Sequence, residues 1–223
     1  MRITLIDAGK RFNREWIFRH LHYEFTNAHS YAITGPNGSG KSTLLQAIGG
    51  AITLNEGSAR YGHMLSPEPS FGSAPVKEPS RGIKEIPEEE VFKQISLAAP
   101  YLELVEEMTL LEFLTFHSAF KPLLPALSVE GIISVLGLEK ASHKQIRNYS
   151  SGMKQRVKLA QAIFSDTPVV LLDEPCTNLD AEGIALYHRL VEDHCKGRLV
   201  IVSSNDVQEY DFCEETLSIM DYK

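Results

Sequence analysis

The sequence has 223 residues, of which 43% are hydrophobic, so it can bury a full core, and its length suits one large α/β domain or two subdomains that share a sheet. The formal net charge of -7, from 29 acidic and 22 basic residues, gives no basic field for a phosphodiester backbone, and we expect no nucleic acid partner. The three cysteines are odd in number and lack C-x-x-C spacing, which argues against a disulfide framework or a zinc site and favours a reducing compartment.

The first part of the chain is predicted to form strands and one helix. Arg2–Asp7 and Leu21–Thr26 read as two short strands around a polar turn, and Ser30–Thr34 reads as a buried strand. The buried strand runs directly into GPNGSGKS, after which Thr43–Ile48 continues as a helix. Leu65–Gly82 is crowded with Pro, Ser and Gly, so we predict a surface loop there, with a partner-contacting loop as the alternative.

Three patterns predict helix starts in the middle of the chain: Pro87 followed by acids, Thr109 with Glu112 in a capping box, and Ser128 as a cap. The predicted elements from here on are a strand at Ile95–Ala99, helices at Leu110–Phe120 and Gly131–Leu136, a helix after Ser151, a buried strand VVLLDE after Pro168, a helix at Ala181–Lys196, and strands at Arg198–Ser203 and Thr216–Met220. The chain therefore alternates helices and strands, as an α/β protein does.

Membrane insertion and secretion are not indicated by the hydrophobic pattern. No apolar run approaches the roughly 20 residues that a membrane-spanning helix requires. The N-terminal MRITLIDAGKRF alternates like a strand and lacks the apolar region of a signal peptide. We expect a chain that is soluble by itself.

The segment GPNGSGKS fits the pattern G-x-x-x-x-G-K-[ST] between a buried strand and a helix. Backbone N–H groups must wrap the phosphate oxygens closely, and this requires glycines. Lys41 is placed to reach the β and γ oxygens of a nucleotide, and the Ser42 hydroxyl is placed to hold Mg²⁺. The predicted nucleotide-binding residues of this segment are Gly35, Pro36, Asn37, Gly38, Ser39, Gly40, Lys41, Ser42 and Thr43.

A pair of acids, Asp173 and Glu174, ends the buried strand VVLLDE. A phosphate-binding loop of this kind needs an acid at a strand end to support the metal, and Asp173 occupies that position. Glu174 is then placed to accept a proton from the water that attacks the γ-phosphorus. We therefore predict a nucleotide bound with Mg²⁺, with Ser42 and Asp173 at the metal and Glu174 as the catalytic base; the nucleotide is ATP by the family resemblance given below.

A second anion site is predicted at NYSSGMKQR, where small hydroxyl residues precede a helix. The backbone N–H groups of a helix start face outward, with the positive end of the helix dipole behind them. From these residues alone, an ordinary N-capped helix start explains the pattern equally well. The question is why one chain would carry two anion sites.

The ordered motifs GPNGSGKST, YSSGMKQR, VVLLDEP and TNLD span most of the chain and resemble those of the ATP-binding cassette (ABC) ATPases, specifically the nucleotide-binding subunit of an ABC transporter. YSSGM resembles the family signature LSGGQ, with Tyr149 and Ser151 as variants, and TNLD resembles the D-loop, with Asp180 as its acid. The resemblance implies a P-loop NTPase with a RecA-like core sheet, a small antiparallel β subdomain and an inserted helical subdomain.

The same resemblance implies a division of the chain. We expect a single ABC ATPase domain over residues 1–223. Its nucleotide-binding core, with the β subdomain, is expected in residues 1–100 and 165–223, and the helical signature subdomain in residues 101–164.

The resemblance also answers why there are two anion sites. In this family two cassettes dimerise face to face and antiparallel, so that the signature of one closes over the nucleotide of the other. Ser150 and Gly152 are expected to contact the γ-phosphate of the partner's ATP, and Ser151 and Asp180 belong to the same nucleotide-binding group. The family also stacks an N-terminal aromatic residue on adenine, and Phe12 matches that place, with Trp16 as the alternative. For Phe12, core packing is the other explanation.

Two positions depart from the family pattern, and both belong near the γ-phosphate. Asn205 stands where the family has a switch histidine; its amide can donate a hydrogen bond to phosphate but cannot titrate as histidine does. Pro100 falls where the family has a glutamine that senses Mg²⁺ and the attacking water. Either a neighbour such as Glu103 substitutes, or the gap-free alignment is off and metal sensing is weakened. We expect slow ATP hydrolysis, with Lys41, Glu174 and Asn205 as the catalytic group.

These features predict the ATP-hydrolysing subunit of an ABC transporter, which pairs with a second cassette, identical or different, and drives a separate transmembrane permease. Such a subunit is cytoplasmic and peripheral on the inner face of the cell membrane. Its groove for the permease would be lined by parts of Tyr101–Phe120. The alternative is a soluble ABC ATPase that moves no solute, acting in cofactor assembly or as a regulatory ATP switch with weak turnover.

Overall fold

The computed structural model describes residues 1–64 and 83–223, so the loop predicted at Leu65–Gly82 lies outside the described residues. The strands are β1 (Arg2–Phe12), β2 (Glu15–Thr26), β3 (Ser30–Thr34), β4 (Glu56–Met64), β5 (Ile83–Glu85), β6 (Ile95–Ala98), β7 (Val169–Asp173), β8 (Leu199–Ser203) and β9 (Glu215–Ser218). The α-helices are α1 (Lys41–Ile48), α2 (Val91–Gln94), α3 (Leu110–Phe120), α4 (Val129–Val135), α5 (Ser151–Ile163) and α6 (Ala181–His194).

A parallel sheet of five strands, in the order β6-β7-β8-β3-β9, forms the centre of the molecule. Every residue of β7 and β8 is buried, as expected for continuous apolar runs in a sheet that is covered on both faces. Alternate side chains of β7 enter two cores: Val170 and Leu172 pack with α3 to α6, whereas Val169 and Leu171 pack with α1 and the N-terminal strands. Because the strands are parallel, the loops after β3, β6, β7 and β8 meet at one edge.

A second, antiparallel sheet has the strand order β2-β1-β4-β5. Its first two strands are longer than predicted. The register between β1 and β2 shifts at three places, and Asp7 and His20 have positive φ angles of 49° and 55°, so the period-two alternation that marks a strand is broken. β4 and β5 were not predicted; β4 reads EGSARYGHM, which has few of the β-branched and aromatic residues that favour strands.

The helices α3, α4 and α5 lie between β6 and β7 in the chain, as expected for an inserted helical region. Thr109 and Glu112 form the predicted capping box of α3, and the Ser128 hydroxyl accepts the Gly131 N–H at the start of α4. The other predicted helices and strands are present with ends shifted by one to two residues, and the acids after Pro87 form a 3₁₀ turn that leads into α2. Parallel sheet, antiparallel sheet and inserted helices together form the mixed α/β architecture expected from the sequence. In the part of the chain that the structure describes, no helix combines the length and the apolar character needed to cross a membrane.

Candidate active site

The phosphate loop, residues 35–42, joins β3 to α1. The side chain of Lys41 is buried, and its Nζ donates to the carbonyl oxygens of Gly35 at 2.9 Å and Pro36 at 3.2 Å. An ammonium group has three donors, and the loop carbonyls use two of them here. The ammonium charge therefore lies within the loop itself, where a phosphate group would meet it.

Two glycines of this loop sit where no other residue fits. Gly40 has a φ of 99°, and a Cβ there would lie 2.1 Å from Ile17 Cγ2. Gly35 has a φ of 147°, and a Cβ there would lie 2.8 Å from both Ile219 Cγ2 and Ser39 Oγ. Positive φ angles and close neighbours both favour glycine. β2 and the chain after β9 thus pack directly against the phosphate loop and fix its shape.

Asp173 ends β7 beside the loop and has the properties that a metal ligand needs. Its side chain is buried, and its Oδ1 has no hydrogen-bond partner within residues 1–64 and 83–223. Burial raises the pKa of this carboxyl, and the nearby hydroxyls of Ser42 and Ser203 oppose that shift. A buried oxygen of this kind is costly unless a ligand uses it. Asp173 and Ser42 therefore fit Mg²⁺, which binds through few protein oxygens and keeps waters and phosphate oxygens as its other ligands.

Glu174 follows Asp173 and adopts an unusual backbone conformation. Its φ is 42°, in the left-handed region that residues with a side chain rarely occupy, and its backbone N–H donates to Ser203 O at 2.9 Å. Such strain persists only where the surroundings enforce it, and it clusters at functional sites. The structure therefore places Glu174 beside Asp173, in a conformation that a merely structural strand end would not require.

The predicted signature residues surround a cavity of about 460 Å³ at the start of α5. Ser150, Ser151, Gly152 and Asp180 all line this cavity. Ser150 caps α5 by accepting the Met153 N–H at 3.2 Å, which leaves its own hydroxyl proton to donate elsewhere. Among the described residues lining the cavity, none belongs to the phosphate loop, so the two anion sites of the chain are separate.

Close packing joins the signature to the D-loop. A Cβ at Gly152 would lie 3.0 Å from the carbonyl oxygen of Asn178, which is tighter than almost all such contacts. Asp180 caps α6: its Oδ1 accepts the Gly183 N–H at 2.8 Å, and its place at the nucleotide stays a prediction. The contact between Gly152 and Asn178 keeps the signature and the D-loop together as one surface.

Asn205 and Pro100, the two residues that depart from the family pattern, are both exposed at the same sheet edge. Ser204, beside Asn205, donates its backbone N–H to Ile33 O at 3.1 Å, so this segment is held against β3 and its phosphate loop. The Pro100 carbonyl accepts a hydrogen bond from Lys158 Nζ of α5 at 2.7 Å. The segment that carries Asn205 thus lies beside β3, whereas Pro100 contacts the signature helix.

Glu103, the predicted substitute for the family glutamine, lines a cavity of about 440 Å³ together with Pro100 and Lys158. The described residues lining this cavity do not include the phosphate loop or Asp173, so the geometry does not favour the substitution. Tyr101 lies closer to Asp173, as the effect of that carboxylate on its pKa shows. Burial raises the pKa of its phenol, a hydrogen bond with Gln46 lowers it, and the charge of Asp173 raises it further. The sequence reasoning did not single out Tyr101.

The two aromatic candidates for adenine lie on opposite faces of the β1–β2 hairpin. Phe12 pairs with Glu15 and Arg11 pairs with Trp16, so Phe12 and Trp16 lie on opposite faces; Ile17, at the register shift next to Trp16, contacts Gly40 of the phosphate loop. Trp16 lies on the other face, between the guanidinium groups of two arginines. Phe12 is half exposed and packs in no core, which favours it as the stacking residue.

Two buried polar residues beside the site, Gln155 and Glu209, were also missed. Gln155 Nε2 donates to Pro175 O at 2.7 Å, and Glu209 Oε1 accepts the Cys176 N–H at 2.7 Å. Gln155 shares a face of α5 with buried Leu159 and Ala162, so a polar residue on an apolar face was the available signal. Glu209 lies in a short 3₁₀ turn, where the sequence has no periodicity that would indicate burial.

The chain matches one family model over most of its length. The family model described as ABC transporter matches residues 18–177. The chain belongs to the ABC transporter family. It is similar to the uncharacterized ABC transporter ATP-binding protein YybJ of Bacillus subtilis, with 28% identity over 93% of this chain and 87% of the relative. It is also similar to the cytochrome c biogenesis ATP-binding export protein CcmA of Rhizobium etli, with 28% identity over 92% of this chain and 88% of the relative.

The solved structure of the ATP-binding cassette MJ0796, a dimer in a post-hydrolysis state bound to ADP and Pi, has the same fold. It matches with a TM-score of 0.76 and 21% identity over 97% of this chain and 93% of that chain. The predicted resemblance and fold class are therefore confirmed, and the chain is an ABC cassette ATPase that binds ATP. The predicted division into subdomains and the roles of individual residues stay predictions.

Proposed function

We propose that this ABC ATPase is the ATP-hydrolysing subunit of a transporter, working as a face-to-face dimer that drives a separate transmembrane permease from the cytoplasmic face of the cell membrane. The observation that carries the proposal is the separation of the two anion sites. The phosphate loop and the signature cavity have no described residue in common. A signature site that lies away from the chain's own nucleotide is useful only if a second cassette presents its ATP to it.

The residues at the sheet edge have separate roles in hydrolysis. Lys41 holds the β and γ phosphates, Ser42 and Asp173 hold Mg²⁺, and the bound ion supplies charge neutralisation at the phosphate oxygens. Glu174 accepts a proton from the attacking water. Asn205 donates its amide N–H to the γ-phosphate, and this hydrogen bond orients the phosphate. The amide does not titrate, so the charge of Asn205 stays the same throughout.

The second cassette completes the site from the signature side. The hydroxyl of Ser150 and the N-terminal N–H groups of α5 are directed at the partner's γ-phosphate. The dimer is thus held by nucleotide, because ATP contacts both chains, and loss of the γ-phosphate weakens the contact. This link between the phosphate and the dimer is what can transmit force to a permease.

Three exposed phenylalanines offer a surface for that permease. Phe92, Phe116 and Phe120 are 61%, 47% and 72% exposed, and the rings of Phe116 and Phe120 lie 4.9 Å apart. Two of them belong to the segment Tyr101–Phe120 in which the permease groove was expected. Grouped aromatic side chains on a surface mark an interaction site more often than scattered apolar residues do.

The test is co-purification from detergent-solubilised membranes, followed by ATPase assays in vesicles. We expect one polytopic membrane protein in stoichiometric amount, and higher turnover when that protein is reconstituted with the cassette. Phe116→Ser with Phe120→Ser should remove both effects. The matched control is Ile83→Ser, which changes an exposed apolar residue of β5 in the antiparallel sheet. Only water-soluble partners, with no stimulation by any membrane protein, would refute the transporter role.

A regulatory ATP switch with weak turnover is the second candidate, and two observations favour it. Asn205 carries no titratable group, and the carbonyl of Pro100 is occupied by Lys158. A switch would dimerise with ATP but hydrolyse it only marginally, even in the presence of its partner. Measuring turnover and nucleotide-dependent dimerisation on the same sample separates the two candidates.

A further inference from the structure

The peptide bond between Pro175 and Cys176 is held from both sides by buried side chains. Its carbonyl oxygen, on Pro175, accepts a hydrogen bond from Gln155 Nε2 at 2.7 Å. Its N–H, on Cys176, donates to Glu209 Oε1 at 2.7 Å. Both distances are short for hydrogen bonds of these types, and two bonds through one peptide group reinforce each other by polarisation.

The two side chains come from different parts of the fold. Gln155 is 3% exposed and belongs to α5, the helix that the signature begins. Glu209 is 5% exposed and belongs to the 3₁₀ turn that follows Asn205. Its backbone is fixed as well, because the hydroxyl of fully buried Tyr187 donates to Glu209 O at 2.7 Å. The peptide is thus the meeting point of the signature helix, the D-loop and the segment that carries Asn205.

We propose that Gln155 and Glu209 are positioning residues that clamp the Pro175–Cys176 peptide and thereby fix Glu174 and the D-loop for ATP hydrolysis. The inference rests on the proposed role of Glu174 as the base. The clamped peptide begins one residue after Glu174, whose φ of 42° has to be enforced by its surroundings. The backbone N–H of Glu174 is anchored to β8, so the clamp supplies the second anchor on its C-terminal side.

The clamp also connects the signature to the hydrolytic carboxylate. Gly152, in the first turn of α5, touches the D-loop at Asn178, and Gln155, one turn later, holds Pro175. A movement of α5 against a partner's nucleotide is therefore transmitted at two points, to Pro175 beside Glu174 and to Asn178 in the D-loop. Hydrogen bonds are directional, so a shift of Gln155 would reorient the peptide rather than merely loosen it.

Substitutions that preserve side-chain size can test the clamp. Gln155→Met removes the donor and Glu209→Met removes the acceptor, whereas Glu209→Gln keeps an oxygen that can accept the Cys176 N–H. We expect each Met variant to lower kcat for ATP about tenfold and to change KM by less than about twofold, because neither residue touches the phosphate loop. The double variant should lose little more than either single one, since both act on one peptide. Glu209→Gln should stay within about threefold of the wild-type kcat.

Gln145→Met is the matched control. Gln145 Nε2 also donates to a backbone carbonyl, that of Glu107 at 2.9 Å, but in an exposed part of the helical region. Its kcat should equal that of the wild type. Met variants that have normal kcat and only lower melting temperatures would show that the two bonds merely stabilise the fold, and the proposal would be overturned.

Cys176 provides a readout that needs no turnover. Burial and the charges of Glu209 and Asp206 raise the pKa of its thiol to about 12, so the wild-type thiol should react slowly with maleimide. In a Cys195→Ala, Cys213→Ala background, Gln155→Met should label several times faster. Glu209 itself is not changed in that variant, so the faster reaction would report release of the peptide. Unchanged labelling would overturn the clamp. Equal turnover of wild type and Glu174→Gln would instead show that Glu174 is not the base. The labelling experiment would then still test the clamp by itself.

Discussion

The loops after β3 and β7 differ from the loops after β6 and β8, although all four meet at one edge of the parallel sheet. The first pair carries Lys41 and Asp173, which are buried and match the family pattern. The second pair carries Pro100 and Asn205, which are exposed and depart from it. The residues predicted to bind nucleotide and metal are thus fixed by packing, whereas the two residues at the positions predicted to sense the γ-phosphate are exposed. Binding and turnover should therefore respond separately to mutation.

The largest effect is expected from Glu174, which follows buried Asp173 but is predicted to act in turnover and not in binding. Glu174→Gln keeps the size of the side chain and removes the base, so kcat for ATP should fall by about 1,000-fold. ATP affinity should stay within about twofold, because Lys41 and Ser42 are unchanged. Single-turnover hydrolysis and equilibrium ATP binding measure the two quantities. Equal steady-state rates for variant and wild type would remove Glu174 from the catalytic role.

Lys41→Ala should give the next largest effect, this time on binding. The ammonium group lies within the loop, and charge-assisted bonds to phosphate are among the strongest in proteins. ATP affinity should fall about 100-fold, as measured by calorimetry. Lys158→Ala is a control, since that lysine bonds to the Pro100 carbonyl and not to the phosphate loop. A comparable loss of affinity in both variants would contradict the division between the loops.

Asn205→His places the family residue in the exposed loop after β8 and should change turnover without changing ATP binding. Turnover should rise about tenfold, and the variant should gain a pH dependence with a midpoint near 6.5, the ordinary pKa of histidine. ATP affinity should not change. The pH profiles of kcat for the wild type and the variant are the measurement. If turnover stays the same at every pH, then the exposed residue after β8 does not limit hydrolysis.

Much of this site could be predicted from the sequence because its parts are local. The phosphate loop and the acids after β7 are short motifs that follow continuous apolar strands, and the cap of α3 is set by Thr109 and Glu112 alone. The clamp on the 175–176 peptide could not be predicted in the same way. Its two side chains are 20 and 33 residues away from their partners, so only the folded chain shows that they act on one peptide.

For the fold as well, only the features that are encoded in a short stretch of sequence could be predicted. β3 and β7 were predicted because burial on both faces makes their sequences continuously apolar. β1 and β2 were predicted too short, since the positive φ angles of Asp7 and His20 shift the pairing and disturb the alternation. This mattered for function, because the omitted ends of the two strands form the part of the hairpin that carries both aromatic candidates for adenine.

The smallest expected effect concerns that hairpin. Phe12 is exposed like Pro100 and Asn205, yet it lies at the end of the hairpin where Ile17 packs against the phosphate loop, so it should contribute to binding and not to turnover. Phe12→Ala should weaken ATP affinity about fivefold, the size expected from losing one stacked ring. Trp16→Ala, on the opposite face, should leave affinity within about twofold. Calorimetric titration with ATP and with inorganic triphosphate measures both effects, since Trp16 is the only tryptophan of the sequence and its loss would remove the intrinsic tryptophan fluorescence signal. Triphosphate has no base to stack, so its affinity should be the same for Phe12→Ala and wild type, and a fivefold loss there would mean that Phe12 supports the loop instead of the adenine.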